Sequence, residues 1–167
     1  MPLTVGAESF AFEYPVVVQW GDVDRMGHVN NAIYARYLES ARCAYFAELG
    51  LGDARSSAPG AHDGAAESGL SGEVGPIVAR QAIDYRRALY HPDVVHVHVA
   101  TTRLGRSSSV QRYVVTSEQQ GGAVVAEGEV VWVLLHYREG KPVEIPAALR
   151  ARIGALEARA GRAIEGA

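Results

Sequence analysis

Between residues 21 and 34 the chain reads Gly21-Asp22-Val23-Asp24-Arg25-Met26-Gly27-His28-Val29-Asn30-Asn31-Ala32-Ile33-Tyr34. Two carboxylates, an imidazole, two side-chain amides and two glycines crowd into one short stretch. A carboxylate can attack a carbonyl carbon or deprotonate water. If the stretch joins a strand to a helix, the unpaired N–H groups of the first helical turn and the helix dipole favour negative charge on a nearby oxygen. Acyl transfer needs both parts, a base or nucleophile and donors for an oxyanion. A plainer role is also open to these residues: Asp22 and Asp24 closing Asx turns, and His28 packing at a helix start. A calcium loop is excluded, because its fifth position would be Met26 and its twelfth, where a bidentate Glu belongs, is Ile33.

The flanking pattern supplies the junction. Tyr14 to Trp20 (YPVVVQW) is rich in β-branched and aromatic residues and runs into Gly21, Asp22 and Asp24, a strand followed by a turn. Beyond Asn30 the period changes. Ile33, Tyr34, Tyr37, Leu38, Ala41, Tyr45 and Leu49 recur at spacings of three and four, while Arg36, Glu39, Arg42 and Glu48 fall mostly between them. A helix of about 19 residues is predicted, with Asn30 or Asn31 as N-cap and Gly50 as its stop.

Residues 51–75 are mostly Gly, Ala and Ser without a sustained period, and are expected to form a long functional loop. Strands are expected at Ile77 to Arg86, Val94 to Thr102, Ser108 to Thr116 and Ala123 to His136, read as a four-stranded meander. Gly105 and the Gly121–Gly122 pair mark tight reversals between antiparallel neighbours. Gly128, inside the longest strand, marks a close backbone approach or a bend. After Pro142 and Pro146 a short amphipathic helix, about 147–160, is placed on the outside. The order gives an α+β domain in which an antiparallel sheet curls around one long central helix.

Length and composition narrow the field. The chain of 167 residues fits a single domain, 1–167, and its 48% hydrophobic and 21% charged residues can build a core. A formal net charge of −3 does not suit general nucleic-acid binding. Cys43 alone cannot close an internal disulfide, the first residues lack an export-signal layout, and no apolar run reaches membrane-spanning length. A cytoplasmic setting without membrane contact is expected. His96 and His98 share one face of a strand, but no third ligand accompanies them, so no metal site is expected.

The run D-x-D-x-x-G-H-V-N-N-x-x-Y, with Glu39, Ala41 and Arg42 following as E-x-A-R, resembles the opening of the hotdog-fold acyl-CoA thioesterases of the 4-hydroxybenzoyl-CoA thioesterase family. IDYRRALYHPDVV (83–95) and RLGRSSS (103–109) are similar to its later strand and turn segments, so the resemblance covers about residues 14–147. It implies a hotdog fold and thioester hydrolysis with no cofactor beyond the coenzyme A of the substrate. It implies Asp24 as nucleophile or general base, Gly27 as the glycine under the thioester, and the N–H groups near His28 to Asn31 as oxyanion donors. Arg25 departs from the family, which often has Pro or Ala there. Glu39 matches a structural position. Dimers, or dimers of dimers, are implied, with sites at the subunit junction.

A thioester carbonyl is already activated by poor resonance with sulfur, so one carboxylate and modest electrostatic help can suffice; no G-x-S-x-G elbow occurs. Coenzyme A carries phosphates and needs a local cationic surface. From Arg80 to Arg112 six arginines face two aspartates, a balance of 6 − 2 = +4, whereas residues 1–50 hold three arginines and six acids, or −3. Arg103, Arg106 and Ser107 are the candidates for the nucleotide, and Tyr34, with Tyr37 and Leu38, for the acyl pocket or the core. The alternatives are a non-catalytic acyl-CoA binder of the same fold and a hotdog hydratase.

Overall fold

The computed structural model describes residues 3–51 and 73–166. In chain order these form β1 (Leu3–Val5), β2 (Glu8–Phe10), β3 (Phe12–Val17), a 3-10 turn (Trp20–Asp22), α1 (Asn31–Glu48), β4 (Val74–Tyr85), β5 (Val94–Leu104), β6 (Ser108–Ser117), β7 (Ala123–His136), β8 (Lys141–Pro142) and α2 (Ala147–Ala158). β1 and β2 make a separate hairpin. The main antiparallel sheet has the order β3-β5-β6-β7-β4, with β8 added to the end of β7.

That order corrects the expected meander. β5, β6 and β7 are consecutive neighbours, joined at the two glycine turns as expected, but β4 sits beyond β7 on the far edge. The chain therefore passes from β4 back to β5 over the ends of β7 and β6. Main-chain and side-chain bonds pin this crossing at each step. Arg86 and Arg87 donate their N–H groups to Val125 O, Leu89 is fully buried, and Asp93 accepts from the Ser117 hydroxyl and the Gln119 N–H. A loop so anchored satisfies backbone groups that would otherwise be orphaned.

Alternation on β5 divides the faces. Val95, Val97 and Val99 are fully buried under α1, while His96 and His98 lie on the opposite face. From α1 come Tyr34, Tyr37, Leu38, Ala41 and Tyr45, each almost fully buried. At about 1.5–3 kcal/mol for each large side chain removed from water, this stripe is what fastens the helix to the sheet. Asn30 caps the helix, its Oδ1 accepting the Ala32 N–H at 2.9 Å, and Gly50 follows the helix at φ +73°. Both predicted ends hold.

Several boundaries move. β3 stops at Val17 because the chain turns at Trp20–Asp22, and β4 begins at Val74, inside the predicted 51–75 loop; residues 52–72 of that loop lie outside the described residues. The terminal hairpin had no signature in the sequence. Arg42, read as one of the polar residues between the apolar positions, is buried. Helix α2 is not simply external: Leu149, Ile153, Leu156 and Glu157 close the core at the Thr101 end of β5, with Tyr45 Oη and Thr101 N–H both donating to Glu157 Oε1. No described helix is long and apolar enough to cross a membrane.

Gly128 is the close approach anticipated for it. A Cβ there would lie 3.0 Å from Ala82 O and 3.1 Å from Leu38 Cδ2. Gly128→Ala is expected to lower stability by about 1–3 kcal/mol through overpacking between helix and sheet. Urea unfolding of the two proteins checks this, and equal midpoints would contradict it.

Candidate active site

The 21–34 segment forms the predicted strand-to-helix junction. Val23 bridges Val29, and Asp24 N–H donates to His28 O at 3.0 Å, so residues 23–29 make a tight loop. Gly27 turns it at φ +86°, a conformation that L side chains rarely adopt, and nothing lies within 4 Å of where its Cβ would be. The surface above Gly27 is open to a ligand.

The two aspartates have different fates. Asp22 is buried and saturated: its Oδ2 accepts the Tyr37 hydroxyl at 2.6 Å and the Gln19 N–H at 2.9 Å, and its Oδ1 accepts from Arg36. Burial works to raise its pKa, but Tyr37, the Gln19 N–H and Arg36 outweigh it and hold the carboxyl below the ordinary range. The Tyr37 phenol is driven upward in turn, by burial and by the same carboxylate. Asp22 O also accepts the Asn30 N–H at 2.9 Å. This residue closes the 3-10 turn through Gln19 and also ties it to α1, a role that only the arrival of Tyr37 and Arg36 on folding reveals.

Asp24 keeps a quarter of its side chain exposed. Its Oδ1 accepts the Met26 N–H at 2.8 Å, the Asx-type bond that was its plainer role, and Oδ1 lies 3.9 Å from His28 Nδ1. Oδ2 has no hydrogen bond among the described residues. One oxygen orients the carboxylate while the other stays free of protein partners among the described residues. Of the donors expected near His28 to Asn31, two are spent: Val29 N–H goes to Leu89 O at 2.8 Å and Asn30 N–H to Asp22 O. The N–H groups of His28 and Asn31 keep no partner among the described residues. Asn31 opens α1, and its carbonyl accepts the Tyr85 hydroxyl at 3.0 Å.

The remaining predicted residues do not all join this cluster. Tyr34 is a core residue, packed edge-on to Tyr85 at 5.1 Å between centroids, and burial first, then Tyr85, pushes its pKa up to about 12. Arg103, Arg106 and Ser107 sit at the other end of the sheet. Val17 pairs with Val94 beside the Asp24 loop, whereas the 105–107 turn follows Leu104, ten strand steps or about 33 Å away. Its backbone is fixed, Ser107 O accepting Leu134 N–H and Arg106 O accepting Ile145 N–H, both at 2.8 Å, while the Arg103 and Arg106 residues are exposed. Within one chain the two groups do not meet.

On the outer face, His96 is held by Glu13 at 2.7 Å and Glu118 at 2.6 Å, beside a cavity of about 570 Å³ under the β1–β2 hairpin. Among the described residues no group of three His, Cys, Asp or Glu is arranged to hold a metal. Cys43 is half-buried in α1, its thiol pKa raised by that burial.

Comparison with known proteins agrees with this fold. The sequence model of the thioesterase-like superfamily matches residues 18–153. The chain is 37% identical to a thioesterase from Thermus thermophilus solved with coenzyme A and Zn, at a TM-score of 0.70 over 93% of this chain and 98% of that one. It is 27% identical over 143 residues to the uncharacterized protein YsmA of Bacillus subtilis, 86% of this chain and 85% of the relative. A DHNA-CoA thioesterase from Staphylococcus aureus, 19% identical, shares the hotdog fold at a TM-score of 0.70 over 92% of this chain and 97% of that one.

Removing Asp22 tests the junction. Asp22→Asn is expected to cost about 1–3 kcal/mol, because the buried Tyr37 hydroxyl and the Gln19 N–H lose a charged acceptor. Since the folded pKa of Asp22 is lowered from 3.8, its contribution is present above that value and lost as pH falls through the folded value. Urea midpoints measured from pH 7 down to pH 2 should therefore fall less steeply for Asp22→Asn than for the parent.

Proposed function

From the premise that this chain belongs to the thioesterase-like superfamily, we propose that it is an acyl-CoA thioesterase in which Asp24 is the catalytic carboxylate. The observation that carries the reading is the Asp24 carboxylate, with one oxygen tied to the Met26 N–H and the other unbonded among the described residues, in the segment whose His28 and Asn31 N–H groups also lack a described partner. A substrate carbonyl seated over Gly27 has its oxygen stabilised by the His28 and Asn31 N–H groups. Asp24 either attacks the carbonyl carbon, giving an anhydride that water then cleaves, or takes a proton from the attacking water. In both routes the C–S bond breaks, coenzyme A leaves as thiolate and is protonated, and a free acid is released. An oxyanion donor of this kind is worth about 10²–10³ in rate.

The coenzyme needs a second copy. β4 is a twelve-residue edge strand with Ile77, Val78 and Tyr85 exposed, and such edges are seldom left unpaired. If two β4 strands pair antiparallel about a two-fold axis, the Val74 end of one meets the Tyr85 end of the other. The Arg103–Ser107 turn lies at the Val74 end of the sheet and the Asp24 loop at the Tyr85 end, so pairing carries one copy's arginines toward the other copy's carboxylate. A homodimer, or a tetramer built from it, is the working unit in this reading.

Asp24→Asn should lower kcat for thiol release from a panel of acyl-CoAs by at least about 10²-fold, with coenzyme A binding retained. Unchanged turnover removes Asp24 from the mechanism, and binding without turnover in the parent protein favours a non-catalytic acyl-CoA binder. Arg106→Ala should raise KM for acyl-CoA several-fold and leave kcat for a short pantetheine thioester unchanged. Sedimentation velocity should find no monomer at working concentration, and Val78→Lys on β4 should produce one.

A further inference from the structure

Behind the second half of α1, between the helix and the sheet, lies a group of buried donors that the mechanism above does not use. The side chain of Arg42 is 8% exposed, yet its nearest carboxylate, Glu39, stands 3.9 Å away and is itself 63% exposed. Arg42 Nη1, Gln111 Nε2, Ser109 Oγ and Trp132 Nε1 are all fully buried and have no hydrogen-bond partner among the described residues. Arg, Trp and the amide nitrogen can only donate. A buried charge without a close counter-charge is among the costliest arrangements a protein interior can hold.

These groups share one stretch of the inner face. Ser109 pairs across the sheet with Trp132, Gln111 with Val130 and Tyr113 with Gly128. Leu38 overlies Gly128, and the Phe46 ring packs on Trp132 at 5.5 Å. Four-residue steps along α1, about 6 Å each, therefore keep pace with two-residue steps along β6 and β7, about 6.6 Å each, and place Arg42 over the Gln111–Val130 pair. The Arg42 guanidinium acts on the Tyr113 phenol both as a charge and as a hydrogen-bond donor, which leaves Nη1 as its unpartnered nitrogen. Tyr113 Oη in turn donates to Gln111 Oε1 at 2.7 Å, an orientation that leaves Gln111 Nε2 without a partner among the described residues.

We propose that Arg42, Gln111, Ser109 and Trp132 form a buried binding site for a carboxylate. The carboxylate has two possible sources: the free end of the acyl group, or a separate small acid. The first source rests on the thioesterase reading and narrows it to thioesters whose acyl group ends in a carboxylate. The second does not depend on it.

The chain has two tryptophans, and Trp20→Phe leaves Trp132 as the only indole, so its emission reports the site directly. Acetate, succinate, glutarate and benzoate are titrated at constant ionic strength into this protein and into Trp20→Phe carrying Arg42→Gln or Gln111→Leu. In parallel, kcat/KM is compared for acyl-CoAs ending in a carboxylate and for methyl-ended thioesters of equal length. Saturable emission changes weakened at least 10-fold by Arg42→Gln or Gln111→Leu support the site with a free acid as ligand. A preference for carboxylate-ended thioesters that either variant cuts at least 10-fold, with methyl-ended substrates unaffected, supports it with the acyl end as ligand. Carboxylate binding without hydrolysis of any thioester keeps the site and removes the thioesterase reading. No saturable response to any acid and no such preference overturns the site.

Discussion

The Asp22 carboxylate is the interaction on which the arrangement of this molecule turns. It binds Tyr37 and Arg36 on the helix, Gln19 before the 3-10 turn and, through its own carbonyl, Asn30 at the helix cap. Four points on two elements are thus tied to one residue. The bonds act together because burial raises the cost of losing any of them. With strand, turn and helix start locked, residues 23–29 have little freedom left, and the position of Asp24 follows from that of Asp22. The proposed chemistry falls to the more exposed aspartate, because the buried one already accepts three side-chain hydrogen bonds.

Much of this was legible from the chain, for identifiable reasons. Helix α1 announces itself because its apolar residues recur at helical spacing and both ends carry capping residues, and the structure keeps Asn30 and Gly50 in those roles. β5 is legible because valine and histidine alternate. The distinct roles of Asp22 and Asp24 were not legible. Both are aspartates in one loop, two residues apart, and what separates them is the arrival of Tyr37 and Arg36 from the following helix. The position of β4 was hidden for a related reason. Local pattern fixes a strand's existence and faces, whereas its neighbour is set by the Leu89 and Asp93 anchors of a crossing loop.

Arg42 shows the limit of amphipathic reasoning from another side. Charged residues between apolar positions are assigned to solvent because desolvation is costly, and Glu39 obeys the rule. Arg42 breaks it, together with a glutamine, a serine and a tryptophan nitrogen on the facing strands. Local rules fail most informatively where a protein retains a costly arrangement. By contrast, Glu157, another buried ionisable residue, meets the cost in a different way: Tyr45 and Thr101 donate to it, and burial raises its pKa toward the neutral form. An acid can shed its charge by taking a proton. A guanidinium cannot, so Arg42 keeps its charge and depends on acceptors, of which the Tyr113 phenol oxygen is one.

The same sheet thus serves at three places along its length. One end carries the Asp24 loop, the other the Arg103–Ser107 turn, and the interior between them the Arg42 cluster. The outer ends are separated by the full length of β5, too far for one small substrate to bridge within a protomer, while the two-fold axis through β4 in the proposed dimer would reverse one sheet against the other and bring unlike ends together. In the proposed dimer that pairing would convert two incomplete sites into two complete ones, which gives the exposed Ile77 and Val78 of this long edge strand a role beyond stability.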